Sequence, residues 1–193
     1  KTGTITSGKP QVSKIISFTK KTENEIISLL GSLEKNSNHP LALAITNYVN
    51  KNKLPLSNVS NFQEISGKGL TGKIKSNTYH AGNITYTTSL GVTIEKSSYK
   101  NYTEQGMTPI FLVENKNVLG AIFISDAIKE NAKEAIASLH SQGIKTIMLT
   151  GDDQNAANFI AEQLDIDEVI AKVLPTQKAE VISRLTSEGR IVA

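Results

Sequence analysis

Three short stretches of the chain carry residue types suited to holding a phosphate. Lys1-Thr2-Gly3-Thr4 offers a cation, two hydroxyls and backbone N–H groups around a glycine, the mix from which anion-binding turns are built. Thr150-Gly151-Asp152 follows the apolar run Lys145–Leu149 and precedes a helical pattern. Its hydroxyl and turn amides would sit at a helix N-terminus, which favours an anion. Lys178 follows Leu174-Pro175 at the start of another helical pattern, where its ammonium would offset phosphate charge. Taken singly, each is also ordinary turn or surface chemistry. They become one site if they lie at the carboxyl ends of strands in one α/β sheet, where such sheets bind ligands.

The elements that must position them follow from hydrophobic periodicity. From residue 125 helix and strand patterns alternate. A helix opens at Asp126, with Ile128, Ala132, Ala135, Ile136 and Leu139 on one face, and ends at Gly143. Then come a strand over 145–149, a helix over 154–164, a strand over 168–173, a helix over 177–188 and a further strand from Arg190. This alternation predicts a parallel α/β sheet, with the first residues as a loop after one of its strands. Residues 20–124 have another rhythm. After a strand over 12–20, Thr22-x-x-Glu25 spells a capping box, followed by Ile26, Ile27, Leu29, Leu30 and Leu33 at helical spacing. Pro40 opens a second helix with Leu41, Ala44, Ile45, Tyr48 and Val49 on its apolar face. Short strands fill 61–94, a helix 96–105, and a hairpin joins Ile110–Val113 to Val118–Ile124 through Asn115-Lys116-Asn117.

Composition bounds the function. The 193 residues carry a net charge of +3, too mild to argue for nucleic acid. There is no cysteine, which excludes a disulfide scaffold, a Cys-based zinc site and a thiol nucleophile. The longest apolar run, Leu41–Ile45, is far short of the roughly 18 residues a membrane span needs. No signal peptide opens the chain, and it begins without Met, as if cut from something longer. Residues 20–124 hold eleven lysines against seven acids, the remainder ten basic against eleven acidic residues. That excess suits an anionic ligand in the middle stretch and equally suits plain solubility.

KTGT, followed more than a hundred residues later by LTGD and then LPTQK, resembles the P-type ATPases, over the whole chain. The resemblance implies a haloacid-dehalogenase-like, parallel-sheet phosphorylation domain (1–19 and 125–193) split by an inserted α+β nucleotide-binding domain with an antiparallel sheet (20–124). It implies ATP and Mg²⁺, with Lys1, Thr2, Thr4, Thr150, Gly151, Asp152 and Lys178 around the transferring phosphoryl group and the Thr2 carbonyl among the Mg²⁺ ligands. The family motif is DKTGT, and this sequence starts one residue after its aspartate. The GDGxND motif would follow Ala193. The chain alone is therefore expected to bind ATP without turning it over. Asp126-Ala127-Ile128-Lys129 is similar to the family's hinge-side DxxR/K element, and hinges are expected near 19–21 and 124–126. Where relatives have TGDN, this chain has TGDD, ending on Asp153.

Ser37-Asn38-His39-Pro40, with Glu34 ahead of it, Gly67-Lys68-Gly69-Leu70-Thr71-Gly72, and Gly82-Asn83 resemble the heavy-metal-transporting subgroup. The resemblance implies an adenine-nucleotide pocket of Glu34, His39, Pro40, Gly67, Lys68, Gly69, Gly82 and Asn83, with Asp126 beside it. Physically, Pro40 biases His39 to extended backbone and places it at a helix N-cap, where a neutral flat ring can stack on a base. Gly67, Gly69 and Gly72 also spell the dinucleotide fingerprint GxGxxG, but a β-favouring second strand follows instead of a helix, so that reading fails. His80 and His140 read as structural or surface residues. The function expected is the ATP-binding and phosphorylation unit of a heavy-metal pump on the cytoplasmic side of a membrane, with transmembrane and actuator domains and the transported ion's site elsewhere in the parent chain. Copper is favoured slightly by QGMTPIFLVENKNVLGAIFISDAIK. The alternatives are a soluble haloacid-dehalogenase-type phosphatase with a large cap and a non-catalytic nucleotide-binding module.

Overall fold

The helix-start signals act as the sequence spells them. In the computed structural model of the chain, which describes residues 3–37, 39–65, 67–152, 154–173 and 177–192, Thr22 caps α1 (Glu23–Glu34) through a full capping box. The Thr22 hydroxyl accepts from Glu25 N at 3.2 Å, and Thr22 N donates to the Glu25 carboxylate at 2.7 Å. This satisfies two N–H groups that the helix itself cannot. Pro40 sits in the first turn of α2 (Pro40–Lys51), capped by His39. The two helices bury Ile26, Ile27, Leu30 and Leu33 with Ala44, Ile45 and Val49, each fully buried large side chain contributing about 1.5–3 kcal/mol.

They cover one face of a six-stranded sheet built from β1 (Thr6–Ser17), β2 (Val59–Ile65), β3 (Gly69–Ile74), β4 (Asn77–Gly82), β5 (Thr108–Glu114) and β6 (Asn117–Ile128), in the order β1-β6-β5-β4-β3-β2. Pairing from β2 through β6 is antiparallel. On β5 and β6, Ile110, Leu112, Ile122 and Ile124 point to the α1/α2 side. The alternating Phe111, Ala121 and Phe123 point to the other, where α3 (Ile84–Ser89), a 3₁₀ turn at Lys96–Ser98 and α4 (Lys100–Glu104) bring Ile84, Tyr99 and Tyr102. Tyr99 meets Phe111 edge-on, with ring centroids 5.5 Å apart.

The chain forms two compact units. The larger comprises Ser7–Thr103 and Met107–Ala127. The smaller comprises the residues to Thr6, Glu104–Gly106 and those from Ile128 onward. In the smaller unit β7 (Ile147–Leu149) and β8 (Glu168–Ile170) pair in parallel, as the alternating pattern predicts. They lie among α5 (Ala132–Ser141), α6 (Gln154–Leu164) and α7 (Lys178–Ser187). Met148, Ala157, Ile160, Ala161 and Leu164 make its core, with Ile128 and Ile136 packed on it. Among the described residues no helix is long and apolar enough to cross a membrane.

Four expectations are corrected. Asp126 does not open a helix: it lies in β6, which continues to Ile128, and α5 begins at Ala132 after Asn131. The run Leu119–Ile128 stays in the ladder, and the Asp126 carboxylate is spent on β1, as described below. Residues 84–89 are helical rather than extended because the Asn83 side chain caps them, accepting from Tyr86 N. Residues 190–192 form no strand. Arg190 N instead donates back to Leu185 O, closing α7 through Gly189 at φ +84. The expected hinges are not the points where the chain passes between units: 124–126 lie inside β6 and 18–21 form a bend before α1, both within the larger unit.

Gly120 shows how closely β1 and β6 approach. A Cβ there would come within 2.3 Å of the Ile16 carbonyl oxygen and 3.1 Å of the Ile26 side chain. An alanine in a strand ordinarily costs less than a glycine, yet Gly120→Ala is expected to destabilise the chain by about 1–3 kcal/mol. Urea unfolding checks this, and an unshifted midpoint would contradict the close β1–β6 contact.

Candidate functional site

The end of the sheet where β2, β3 and β4 meet collects most of the residues that sequence analysis assigns to a nucleotide. The register sets Glu64 opposite Leu70, which pairs with Ala81, and Ile65 opposite Gly69, which pairs with Gly82. Lys68 N donates to Ile65 O, closing a tight turn in which Gly67 takes φ +69. Asn83 ties this turn to α3. Its backbone N donates to Lys68 O at 3.1 Å, its Nδ2 donates to Gly67 O at 3.1 Å, and its Oδ1 accepts from Tyr86 N at 2.9 Å. Much of the Asn83 amide is thus engaged with the protein. Lys68 is exposed and is the cation of this corner.

Gly69 and Gly82 have a structural reason to lack side chains. A Cβ on Gly69 would stand 2.1 Å from Ala81 O and 2.8 Å from Tyr86 Cδ1; one on Gly82 would stand 2.4 Å from Lys68 O and 2.7 Å from the same ring atom. The two strands and the Tyr86 ring together fill the space.

Glu34 and His39 reach the same corner from the helices. Glu34 ends α1 and is only 6% exposed. Burial, and secondarily the carboxylate of Glu64, push its carboxyl up to about 7. Ser37 joins the two parts: its hydroxyl donates to Glu64 at 3.4 Å and accepts from His39 N at 3.2 Å. His39 has extended backbone (φ −68, ψ 143), and its ring Nδ1 accepts from Leu41 N at 3.2 Å. With Nδ1 as acceptor, the ring hydrogen of a neutral imidazole sits on Nε2. The ring is exposed, and Pro40 supplies the helix start. Two open hollows of about 600 and 510 Å³ lie elsewhere in the larger unit, around Phe18, Asn117 and Val118, and none of these candidate residues lines them.

Asp126 is engaged at the start of β1. Its carboxylate accepts from the Ser7 hydroxyl and from Gly8 N and Lys9 N, each at 3.1 Å, and so holds the start of β1 to the end of β6.

In the smaller unit Thr150 is 4% exposed, and its hydroxyl donates to Asp152 Oδ2 at 2.5 Å and accepts from Asp152 N at 3.2 Å. Thr150 N donates to Ile170 O, and its carbonyl accepts from Val173 N. The loop after β7 is therefore tied to the chain after β8, and Gly151 lies under the Val173 carbonyl. Lys129 Nζ donates to Gly3 O at 3.0 Å and Lys129 N to Ile5 O, which holds the Gly3-Thr4 loop to the residues after β6. Thr4 is exposed on that loop, and Lys178 is exposed in the first turn of α7. Lys1, Thr2, Asn38, Asp153, Leu174 and Pro175 lie outside the described residues. Among the described residues no group of three or more His, Asp or Glu could hold a metal ion. The described residues thus do not by themselves make a Mg²⁺ site.

His80 and His140 are structural. His80 Nδ1 lies 3.0 Å from Tyr86 OH, and burial lowers the pKa of its ring. His140 Nε2 lies 3.0 Å from Asp167, whose carboxyl is held low chiefly by hydrogen bonds from Thr146. Sequence reasoning missed Glu64 and Tyr86. The signal for Tyr86 was available, since it stands three residues after a capping Asn, but the β-favouring run around it hid the helix.

A parallel β7–β8 pair with a Thr-Gly-Asp turn at its strand end, and a larger antiparallel unit entered between the first residues and that pair, define a split α/β architecture. The model of the haloacid dehalogenase-like hydrolase family matches residues 1–193, and the chain belongs to that family. Its relatives are P-type ATPases: it is 37% identical over 196 aligned residues to the copper-exporting P-type ATPase of Staphylococcus aureus (strain JH9), covering 100% of this chain and 24% of that protein. The chain thus spans about a quarter of the length of the curated relatives it matches. Among solved structures it is similar to a zinc-transporting PIB-type ATPase in the E2·Pi state, with a TM-score of 0.85 and 28% identity over 97% of this chain and 30% of that one. It is also similar to the catalytic domain of the CPx-ATPase CopB-B, with a TM-score of 0.75 and 26% identity over 98% of this chain and 67% of that one.

The buried Glu34 gives a pH test. Its carboxyl titrates near 7 in the folded chain and near 4.5 when free. Between those values the folded state keeps a proton that the unfolded state has lost, so this group's stabilising contribution is complete below about 4.5 and disappears as pH rises through 7. Glu34→Gln removes the titration. Urea unfolding at pH 5 and pH 8 should show wild type losing on the order of 3 kcal/mol more than the variant over that interval. Equal losses would contradict the buried carboxyl.

Proposed function

We propose that this chain is the ATP-binding and phosphoryl-transfer portion of a heavy-metal-transporting P-type ATPase, with the larger unit binding ATP and the smaller unit carrying the phosphate-handling loops. The observation that carries this reading is the convergence of Glu34, His39, Gly67-Lys68-Gly69 and Gly82-Asn83 on one end of β2-β3-β4. Such a corner offers an exposed imidazole face for a purine, a carboxyl that is protonated in part at neutral pH and can donate or accept, and a lysine for phosphate charge. In the smaller unit Thr4, Thr150 and Lys178 supply hydroxyls and a cation, the groups that offset charge on a transferring phosphoryl group. The Thr150 hydroxyl proton is committed to Asp152, so its donation to phosphate would require that bond to open.

In the reaction of P-type ATPases an aspartate carboxylate attacks the γ-phosphorus of ATP, forming an acyl phosphate and releasing ADP. Ion export coupled to that cycle, with copper as the ion favoured by the relatives' names, is part of the same proposal. So are membrane-spanning and actuator domains in the parent chain and a place for this portion on the cytoplasmic side.

Calorimetric titration with a non-hydrolysable ATP analogue tests the site. Wild type is expected to bind, and His39→Ala to bind about tenfold more weakly, the loss of one base-stacking contact of roughly 1–3 kcal/mol. Equal affinity in the two proteins would remove His39 from the pocket and with it the main support for this reading.

A further inference from the structure

Tyr86 touches the paired glycines of β3 and β4, the Asn83 cap and His80 together. Its ring lies against the two glycines that face each other across β3 and β4: its Cδ1 would be 2.8 Å from a Cβ on Gly69 and 2.7 Å from one on Gly82. Its own backbone N is the donor that Asn83 Oδ1 accepts, and the same Asn83 side chain holds Gly67 O. Its hydroxyl is fixed 3.0 Å from His80 Nδ1, on the strand that ends in Gly82. The two rings meet edge-on at 6.1 Å. Tyr86 is 5% exposed, so this arrangement is closed to water on most sides.

We propose that Tyr86 is the positioning residue of the nucleotide corner: its ring, held by His80, sets the spacing of Gly69 from Gly82 and thereby the placement of the Gly67-Lys68 turn and Asn83. This rests on the nucleotide reading above, but the positioning itself concerns only the ligand-free protein. Loop placement matters because a turn that must deliver backbone and a lysine to a ligand loses affinity when it has to be ordered first. A flat ring lies against both glycines of the pair at once, whereas a branched aliphatic chain is thicker and shorter. Leucine at 86 would therefore neither cover the Gly69–Gly82 pair nor reach His80. Phenylalanine would keep the ring and lose only the hydroxyl contact.

The test uses the whole 193-residue chain with Tyr86→Leu, Tyr86→Phe and, as a control, Tyr79→Leu. Tyr79 is an equally buried aromatic on β4, 5% exposed, but it pairs with Gly72 and bonds Glu114, away from the corner. Two readouts are taken on each variant. The first is the amide proton shifts and exchange rates of Gly67, Lys68, Gly69 and Asn83 without ligand. The second is the affinity for the non-hydrolysable ATP analogue. Tyr86→Leu should shift those four amides, speed exchange of the Asn83 amide that donates to Lys68 O, and weaken the analogue about tenfold. Tyr86→Phe should restore the amide pattern and stay within about twofold of wild type in affinity. Tyr79→Leu should lower the melting temperature without moving the four amides or the affinity. Unmoved amides in Tyr86→Leu, or an equal disturbance by Tyr79→Leu, would overturn the positioning role whatever happens with ATP. A wild-type chain that fails to bind the analogue while Tyr86→Leu still moves the four amides would sink the nucleotide reading and leave the positioning intact.

Discussion

The β5–β6 hairpin is buried on both faces, and the larger unit is arranged around that fact. Ile110 to Val113 and Leu119 to Ile124 are near-continuous apolar runs with no solvent face. A strand pair of this kind must be covered from above and below. The α1/α2 pair takes one side and the Tyr99, Tyr102 and Ile84 cluster the other. Burial then falls off toward the far edge, where β2 alternates only between partly buried and exposed positions. The corner that gathers Glu34, His39 and the Gly67-Lys68 turn lies at that less covered end, so it is built on a rigid centre while its own turns stay open to solvent. A binding site needs both properties, and the gradient of burial across a single sheet supplies them.

Within the corner, polar groups are satisfied mostly by one another. Ser37 links Glu64 to the His39 backbone, Asn83 links the turn to α3, and His39 links its own ring to the helix it starts. The exception in kind is Glu34, a carboxyl held near-buried beside another carboxylate. Two acids in one place disfavour full ionisation. A helix end that could have held an alanine holds instead a group whose charge is costly, and perturbed groups of this sort cluster at functional sites.

Much of the fold was legible because local chemistry and tertiary packing agree. The Thr22–Glu25 box, Pro40 after His39, and the apolar spacing of Ile26, Leu30 and Leu33 each specify a helix start or face that the sheet then buries. The misreadings occur where they disagree. Ile84-Thr85-Tyr86-Thr87-Thr88 is β-branched and aromatic, which favours a strand, but the Asn83 cap and the Tyr86 side chain's place on the glycine pair fold it into α3. Asp126 looks like a helix cap to a reader of neighbours along the chain; its real partners, Ser7, Gly8 and Lys9, are over a hundred residues away. The candidate site follows the same rule. His39, Gly67 and Asn83 announce themselves through turn and cap chemistry, whereas Glu64 and Tyr86 matter only because strand register and a distant helix bring them there.

The Asp126 carboxylate, accepting from three consecutive residues at the start of β1, has a consequence for the chain as a polymer. The larger unit begins at Ser7 and ends at Ala127, with only Glu104–Gly106 between them counted to the smaller unit, and its first and last residues are pinned within a hydrogen bond of each other. To the residues on either side, the whole excursion is topologically a very short loop. The entropy of closing it is met inside the unit by its own sheet and cores, and grows only logarithmically with length in any case. The smaller unit's fold therefore need not depend on how long the insertion is. A clamp of one carboxylate and three donors lets one fold be carried within another with little demand on the host.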